Sequence, residues 1–161
     1  MLHNSNLKMY IYIDYLKSNV AMTTQKPMQI ALVDDDPDEQ DFFQIALDVL
    51  GIDCEFHFFE KADNFFSYVN SADAKLPDIV FVDMSMPQIS GREMIEQLRE
   101  DKKFDNIQAV IYTAHIGEKD KEAMMSLGTF EFFIKPTEFA ELTEMLKGMI
   151  DRRTERQNGM A

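Results

Sequence analysis

The sequence contains little of several residue types. A single cysteine, Cys54, stands among 161 residues, which excludes an internal disulfide and a thiolate metal site and is typical of a reducing compartment. Its 16 lysines and arginines are outnumbered by 29 aspartates and glutamates, so the formal net charge is -13. Proteins bind nucleic acid by neutralising its phosphates with lysine and arginine. The charge therefore argues against a nucleic-acid partner.

Long hydrophobic runs are also missing. No run approaches the roughly 20 apolar residues that a membrane helix needs. The apolar part of the N-terminal segment MYIYIDYL is short and is interrupted by Asp14, which argues against a signal peptide. Hydrophobic residues nevertheless make up 45% of the chain, enough for the core of one folded domain. We expect a cytoplasmic protein with no membrane partner.

Short apolar runs alternate with longer amphipathic segments from Gln29 onwards. This alternation is typical of a doubly wound α/β fold, in which a parallel sheet is covered by helices. Between the runs, apolar residues recur at helical spacing, and the fourth helix has the weakest pattern. The five predicted strands are residues 29–33, 54–59, 78–82, 108–113 and 130–134.

Several residues mark the predicted ends of helices. Asp36, Pro37 and Glu39 fit an N-cap, a first helical residue and the acid of a capping box. Pro136 is expected to begin the fifth helix in the same manner, and glycines follow the first and fourth helices where helices commonly end. The residues after Ile150 carry no apolar stripe, so we expect them to fray.

The repeating pattern divides the chain into three parts. Residues 28–151 form the predicted domain, and residues 152–161 form a polar C-terminal tail. Residues 1–27 do not fit the pattern, and three explanations stay open for them: an edge strand, a helical arm, or material translated from an upstream start codon.

Polar side chains follow four of the predicted strands. Strand one is followed by three consecutive acids and strand three by Asp83, while strand four ends in Thr113 and Lys135 follows strand five. The carboxyl ends of parallel strands meet at one edge of a sheet, so these side chains are expected to converge. The three acids after strand one are Asp34, Asp35 and Asp36.

The converging groups suit phosphoryl transfer. Carboxylates at one edge repel each other, and Mg²⁺ prefers oxygen ligands, which predicts that Asp34 and Asp35 bind this ion. Asp83 leaves the most apolar strand and is the best candidate for a nucleophile that becomes an aspartyl phosphate. Thr113 and Lys135 would donate to the phosphoryl oxygens. Asp36 is assigned to the helix cap instead.

These residues lie in motifs that resemble the receiver domain of two-component response regulators, of the single-domain, chemotaxis-regulator-like kind. The resemblance covers about three quarters of the chain. Asp83 and Thr113 are 30 positions apart, Thr113 and Lys135 are 22 apart, and Gly91 follows Asp83 by eight. The motifs, in the order of the family, are LVDDDP, FVDMSMPQISG, IYTAH and FIKP.

The resemblance implies a flavodoxin-like (βα)5 fold with strand order 2-1-3-4-5. It also implies that Asp83 is the phosphoacceptor and, with Asp34, Asp35 and the backbone carbonyl of Ser85, a ligand of Mg²⁺. Thr113 and Lys135 would contact the phosphoryl oxygens, and Phe132 would be the aromatic switch. Ser85 and His115 match positions that tune the phosphate lifetime in the family.

The implied function is that of a switch rather than an enzyme, with self-catalysed phosphorylation and dephosphorylation. A histidine kinase or phosphotransfer protein would supply the phosphoryl group. Because only a polar tail follows Ile150, the output is expected to be a protein contact through the face of helix four, strand five and helix five.

The alternative is a haloacid-dehalogenase-like phosphatase, in which Asp34 and Asp36 would supply an Asp-x-Asp motif. Three features of the sequence count against it. Pro37 follows that motif, no strand ending in paired acids follows Lys135, and Asp83 would have no role.

Overall fold

A computed structural model describes residues 26–129 and 131–159 of the protein. Its five strands form one parallel sheet in the order β2-β1-β3-β4-β5, which confirms the predicted fold class and strand order. The strands are β1 Met28–Val33, β2 Cys54–Phe59, β3 Ile79–Val82, β4 Gln108–Thr113 and β5 Glu131–Ile134. The helices are α1 Pro37–Leu50, α2 Ala62–Val69, α3 Gly91–Glu100, α4 Glu118–Ser126 and α5 Phe139–Gly159, and a short 3-10 helix, Lys102–Phe104, precedes β4.

Each face of the sheet carries its own apolar core, because side chains of a strand alternate between faces. Ile30 and Leu32 of β1 pack beneath α1 and α5, whereas Ala31 and Val33 pack beneath α2, α3 and α4. The central strands β1, β3 and β4 are almost wholly buried, as their continuous apolar sequences predict for a sheet covered on both sides.

The ends of α1 follow the predicted signals, with one exception. The Asp36 carboxylate accepts a 3.0 Å hydrogen bond from the Asp38 N–H, and Gly51 ends the helix in the left-handed region at φ 61°. Glu39 does not complete a capping box. The Asp36 N–H that it would accept from donates instead to Asp34 Oδ1, at 3.0 Å.

Two expectations for the last helix were wrong. It begins at Phe139, not Pro136, and the carbonyl of the preceding Glu138 accepts hydrogen bonds from the Glu141 and Leu142 N–H groups. It also continues to Gly159 instead of fraying after Ile150. Ion pairs hold this extension to the domain: Arg152 lies 2.7 Å from Glu131, and Arg153 lies 3.4 Å from Asp78.

Some expectations fall outside the described residues or stay predictions. Residues 1–25 lie outside the described part of the chain. The three explanations for the N-terminal segment concern these residues and stay open. The division at residue 151 stays a prediction. Over residues 26–129 and 131–159, no helix is both long and apolar enough to cross a membrane.

Candidate functional site

The structure brings the predicted acids together at the carboxyl edge of the sheet. Backbone hydrogen bonds fix two of them just beyond their strands: the Asp34 N–H donates to Phe59 O at 3.1 Å, and the Asp83 N–H donates to Val33 O at 3.0 Å. Asp34 and Asp83 are buried, while Asp35 is exposed. One oxygen from each of the three carboxylates lies within 4.8 Å of the other two.

Lys135 supplies positive charge to this cluster. Its backbone N–H donates to Thr113 O at 2.9 Å, which fixes the residue beyond β5. Its Nζ atom lies 2.6 Å from Asp34 Oδ2 and 3.9 Å from Asp83 Oδ2. The ammonium therefore already lies between the two buried carboxylates, where it could move toward an anion bound at Asp83.

Burial and charge shift the pKa values of this pair. Burial raises the pKa of Asp34 to about 6, even though the hydrogen bond with Lys135 acts to lower it. Burial acts to lower the pKa of Lys135, but the hydrogen bond and attraction of Asp34, with Asp83 and Glu39, raise it overall. Lys135 therefore stays charged at neutral pH and partly offsets the negative charge of the cluster.

The donor set fits a hard divalent cation. Carboxylate oxygens are the ligands that Mg²⁺ prefers, and two acids without a metal would repel each other at this distance. Asp83 Oδ1 is buried and has no hydrogen-bond partner within the described residues. A buried oxygen without a partner is costly, so this atom is free to serve a ligand. Asp34, Asp35 and Asp83 are the residues that could hold the ion.

Gly91 lets α3 begin directly against the backbone of Asp83. A Cβ atom at this position would lie 2.2 Å from Asp83 O, which no side chain permits. The Gly91 N–H donates to Met84 O at 3.3 Å, and Ser90 with Glu93 forms a capping box that fixes the start of the helix. The glycine eight residues after Asp83 is therefore required by close packing.

The remaining predicted residues differ in their burial and contacts. Thr113 is buried at the end of β4, and its hydroxyl donates to His115 O at 3.3 Å. His115 and Ser85 are exposed. Phe132 is half-buried and packs against the core beneath α4. A fully buried aromatic residue could not move inward, whereas this one has room to change its burial.

Glu39 and Tyr112 belong to the site and were missed by the sequence prediction. The Tyr112 hydroxyl donates to Glu39 Oε2 at 3.0 Å, and Glu39 Oε1 lies 3.6 Å from Lys135 Nζ. Burial, with the nearby Glu39 charge, raises the pKa of Tyr112, which keeps its hydroxyl protonated. The sequence did contain a signal, because a tyrosine within a buried strand needs a hydrogen-bond partner.

Known proteins resemble this chain in both sequence and fold. Residues 30–147 match the family described as Response regulator receiver domain. An uncharacterised 14.6 kDa protein of Leptolyngbya boryana is 29% identical over 78% of this chain and 92% of its own length. The response regulator Rre1 of Synechocystis is 28% identical, and there the match covers 80% of this chain but 54% of the relative.

Two solved structures show the same fold. The phosphorylated cyanobacterial phytochrome response regulator RcpA has a TM-score of 0.70 and 23% identity, over 77% of this chain and 91% of its own. The Mn²⁺-bound response regulator Rcp1 has a TM-score of 0.69 and 21% identity, over 76% of this chain and 91% of its own. At these identities the likeness concerns the fold alone.

The chain belongs to the response regulator receiver domain family. Receiver domains are phosphorylation-dependent switches of two-component signalling rather than classical enzymes, and they interact with histidine kinases and phosphotransfer proteins. The phosphatase alternative is not supported. Asp36, which that reaction needs, is an exposed helix cap, whereas Asp83 lies buried beside Lys135.

Proposed function

We propose that Asp83 accepts a phosphoryl group from a phosphohistidine of a sensor kinase or phosphotransfer protein. One observation carries the assignment: a buried Asp83 oxygen has no partner within the described residues, while the other oxygen lies 3.9 Å from Lys135 Nζ. The Asp83 oxygen attacks phosphorus, the phosphorus–nitrogen bond breaks, and the donor imidazole leaves with its electron pair.

The surrounding side chains position the phosphoryl group and oppose its charge. Lys135 donates to one phosphoryl oxygen, and the Thr113 hydroxyl turns from His115 O to another. Asp34, Asp35 and Asp83 are assigned to Mg²⁺, as the cluster of their oxygens supports. The Ser85 backbone carbonyl is assigned to the ion as well. The ion supplies positive charge to the transferring oxygens when it is bound.

The assignment of Asp83 is tested by phosphorylation with acetyl phosphate in the presence of Mg²⁺. The wild-type protein should gain one acid-stable, base-labile acyl phosphate per chain, and Asp83→Asn should gain none. Asp36→Asn is the matched control, because asparagine also caps a helix. It should be labelled like the wild type. Retained labelling of Asp83→Asn would refute the assignment.

The output is assigned to the face formed by α4, β5 and α5. Phosphorylation adds about -1.5 to -2 charge, and it shifts a two-state protein only through contacts that differ between the states. Movement of Thr113 toward the phosphate leaves space into which Phe132 can turn. Met125 and Ile134 are exposed apolar residues of α4 and β5, suited to contact with a downstream protein.

If Thr113 transmits the change, its removal should leave phosphorylation of Asp83 intact and weaken the structural response of α4 and β5. Thr113→Ala should still be labelled on Asp83, but the amide signals of α4 and β5 should shift less on phosphorylation than in the wild type. Nuclear magnetic resonance with acetyl phosphate measures both quantities. Shifts equal to those of the wild type would show that Thr113 does not transmit the change.

Ser85 and His115 are assigned to the lifetime of the acyl phosphate. Both are exposed, and each follows a proposed phosphoryl-binding residue by two positions, where a side chain can admit or block the attacking water. Alanine at either position should change the half-life of the phosphate without changing the labelled residue. Identical half-lives for the wild type and both variants would remove this assignment.

A further inference from the structure

Besides the three clustered acids, one more carboxylate of the site, Glu39, lies beside Lys135. Glu39 lies in the first turn of α1, and its Oε1 atom is 3.6 Å from Lys135 Nζ. That separation is shorter than the 3.9 Å between Lys135 Nζ and Asp83 Oδ2. The ammonium is thus closer to Glu39 than to the residue at which charge develops, while its shortest contact is with Asp34 Oδ2, at 2.6 Å.

Tyr112 holds Glu39 in this position. Its hydroxyl donates to the second carboxylate oxygen, Glu39 Oε2, at 3.0 Å. The Tyr112 ring is 1% exposed and is fixed edge-on against Phe43 and Phe81, at centroid distances of 5.0 Å and 6.3 Å. The carboxylate is therefore held by a rigid donor from the core and is not a mobile surface acid.

The same ring also lies under Lys135. The ammonium is 5.6 Å from the Tyr112 ring centroid, within the range of a cation–π contact. Glu39 and Tyr112 thus form a second binding position for the Lys135 ammonium, on the side that leads to α1. A phosphoryl group on Asp83 and this second position compete for one lysine.

We infer that Glu39, fixed by Tyr112, is a positioning residue that holds Lys135 back from Asp83 and so slows phosphoryl acceptance. The inference rests on the proposed function of Asp83. When Lys135 turns to a phosphoryl oxygen, it must give up its contact with Glu39, and the negative charge of Glu39 then lies beside a newly anionic site. Both effects favour the unphosphorylated state.

The test compares initial rates of Asp83 labelling by subsaturating acetyl phosphate with Mg²⁺. Glu39→Gln removes the charge and keeps the shape, so labelling should become roughly two- to fivefold faster, the range expected for a partly exposed ion pair. Asp41→Asn is the control. It removes an exposed acid from the same helix and should leave the rate unchanged.

Glu39→Asp distinguishes the contact of Glu39 with Lys135 from the longer-range effect of its negative charge on the phosphorylation site. The shorter side chain keeps the charge but withdraws the carboxylate from Lys135, so labelling should also become faster. Thermal unfolding of each variant checks that α1 is intact. If Glu39→Asp is labelled at the wild-type rate, the slower labelling is due to the negative charge alone, and the positioning role of Glu39 is overturned. Slower or unchanged labelling of Glu39→Gln would overturn it as well.

The outcomes also distinguish this inference from the proposed function. If the wild-type protein is not labelled, or Asp83→Asn still is, the assignment of Asp83 fails and the role of Glu39 fails with it. If Asp83 is labelled but neither Glu39 variant is faster, the phosphoacceptor assignment holds and the role of Glu39 alone is wrong.

Discussion

Charged side chains cluster at the carboxyl end of the sheet and form separate pairs at its amino end. At the carboxyl end, the Asp34, Asp35 and Asp83 carboxylates gather around Lys135, and one buried Asp83 oxygen has no partner in the described part of the chain. At the amino end, Asp78 accepts from the Gln29 N–H at 2.9 Å and pairs with Arg153.

At the amino end, arginine side chains also donate hydrogen bonds to backbone carbonyls. Arg99 donates to Ile107 O at 3.1 Å and to Phe104 O at 3.3 Å, and Arg153 donates to Asn106 O at 3.4 Å. These bonds tie loops and helices together. One end of the sheet therefore uses charge to stabilise the fold, and the other keeps excess negative charge that only a ligand can neutralise.

The largest predicted effect concerns the close approach at the carboxyl end. Gly91→Ala places a Cβ atom 2.2 Å from Asp83 O, so α3 must move away, at a cost of about 3 kcal/mol in the free energy of unfolding. Chemical denaturation measures this cost. In the control, Gly148→Ala, the nearest atom is the flexible Arg152 guanidinium at 3.3 Å, and stability should not fall, because alanine favours a helix over glycine. Equal stabilities would contradict the close contact.

The next effect should appear at the amino end. Asp78→Ala leaves the Gln29 N–H and the Arg153 guanidinium without this acceptor, so the free energy of unfolding should fall by about 2 kcal/mol. Labelling of Asp83 should not change. Asp73→Ala, which removes an exposed acid from the preceding loop, should leave stability unaltered. A labelling defect in folded Asp78→Ala would show that the two ends are coupled.

Mg²⁺ should stabilise the protein through the carboxyl end alone. At ten times its dissociation constant, an ion that binds only the folded state adds about 1.4 kcal/mol. Thermal unfolding with and without Mg²⁺ should show this gain in the wild type and in Asp36→Asn, and should show it lost in Asp35→Asn. An equal gain in Asp35→Asn would remove that residue from the metal site.

The smallest effect concerns His57, whose ring lies 3.3 Å from Gln29 Oε1. Burial lowers the pKa of His57, so its folded form prefers to be neutral. The folded state then binds fewer protons than the unfolded chain, and this contribution to stability is lost as pH falls below about 6.5. Denaturation across that range should show a weaker pH dependence in His57→Gln than in the wild type. The same dependence in both would contradict the shift.

Much of the fold follows from local sequence patterns. Runs such as IVFV and QAVIYT coincide with β3 and β4, because a strand buried on both faces is apolar along almost its whole length. The convergence of Asp34, Asp83 and Lys135 was also predictable, because the carboxyl ends of parallel strands share one edge whatever their separation in sequence.

Other features depend on contacts between residues far apart in the chain. Glu39 and Tyr112 are separated by 73 residues, and Arg153 and Asp78 by 75. Glu39 accepts a hydrogen bond from Tyr112 instead of completing the expected capping box. The ion pair between Arg153 and Asp78 helps α5 continue where no apolar stripe predicts a helix. The spacing of apolar residues in the sequence indicates which face of a single helix or strand can be buried. It does not identify which distant side chain will meet a given polar group.

The phosphoryl group is proposed to form on Asp83. Borohydride reduces an acyl phosphate on aspartate to homoserine, so reduction after acetyl phosphate treatment, followed by peptide sequencing, identifies the modified residue directly. We predict homoserine at position 83 in the wild-type protein and an unmodified peptide after incubation without Mg²⁺. Homoserine at position 34 or 36, with Asp83 intact, would contradict the assignment of Asp83 as the phosphoacceptor.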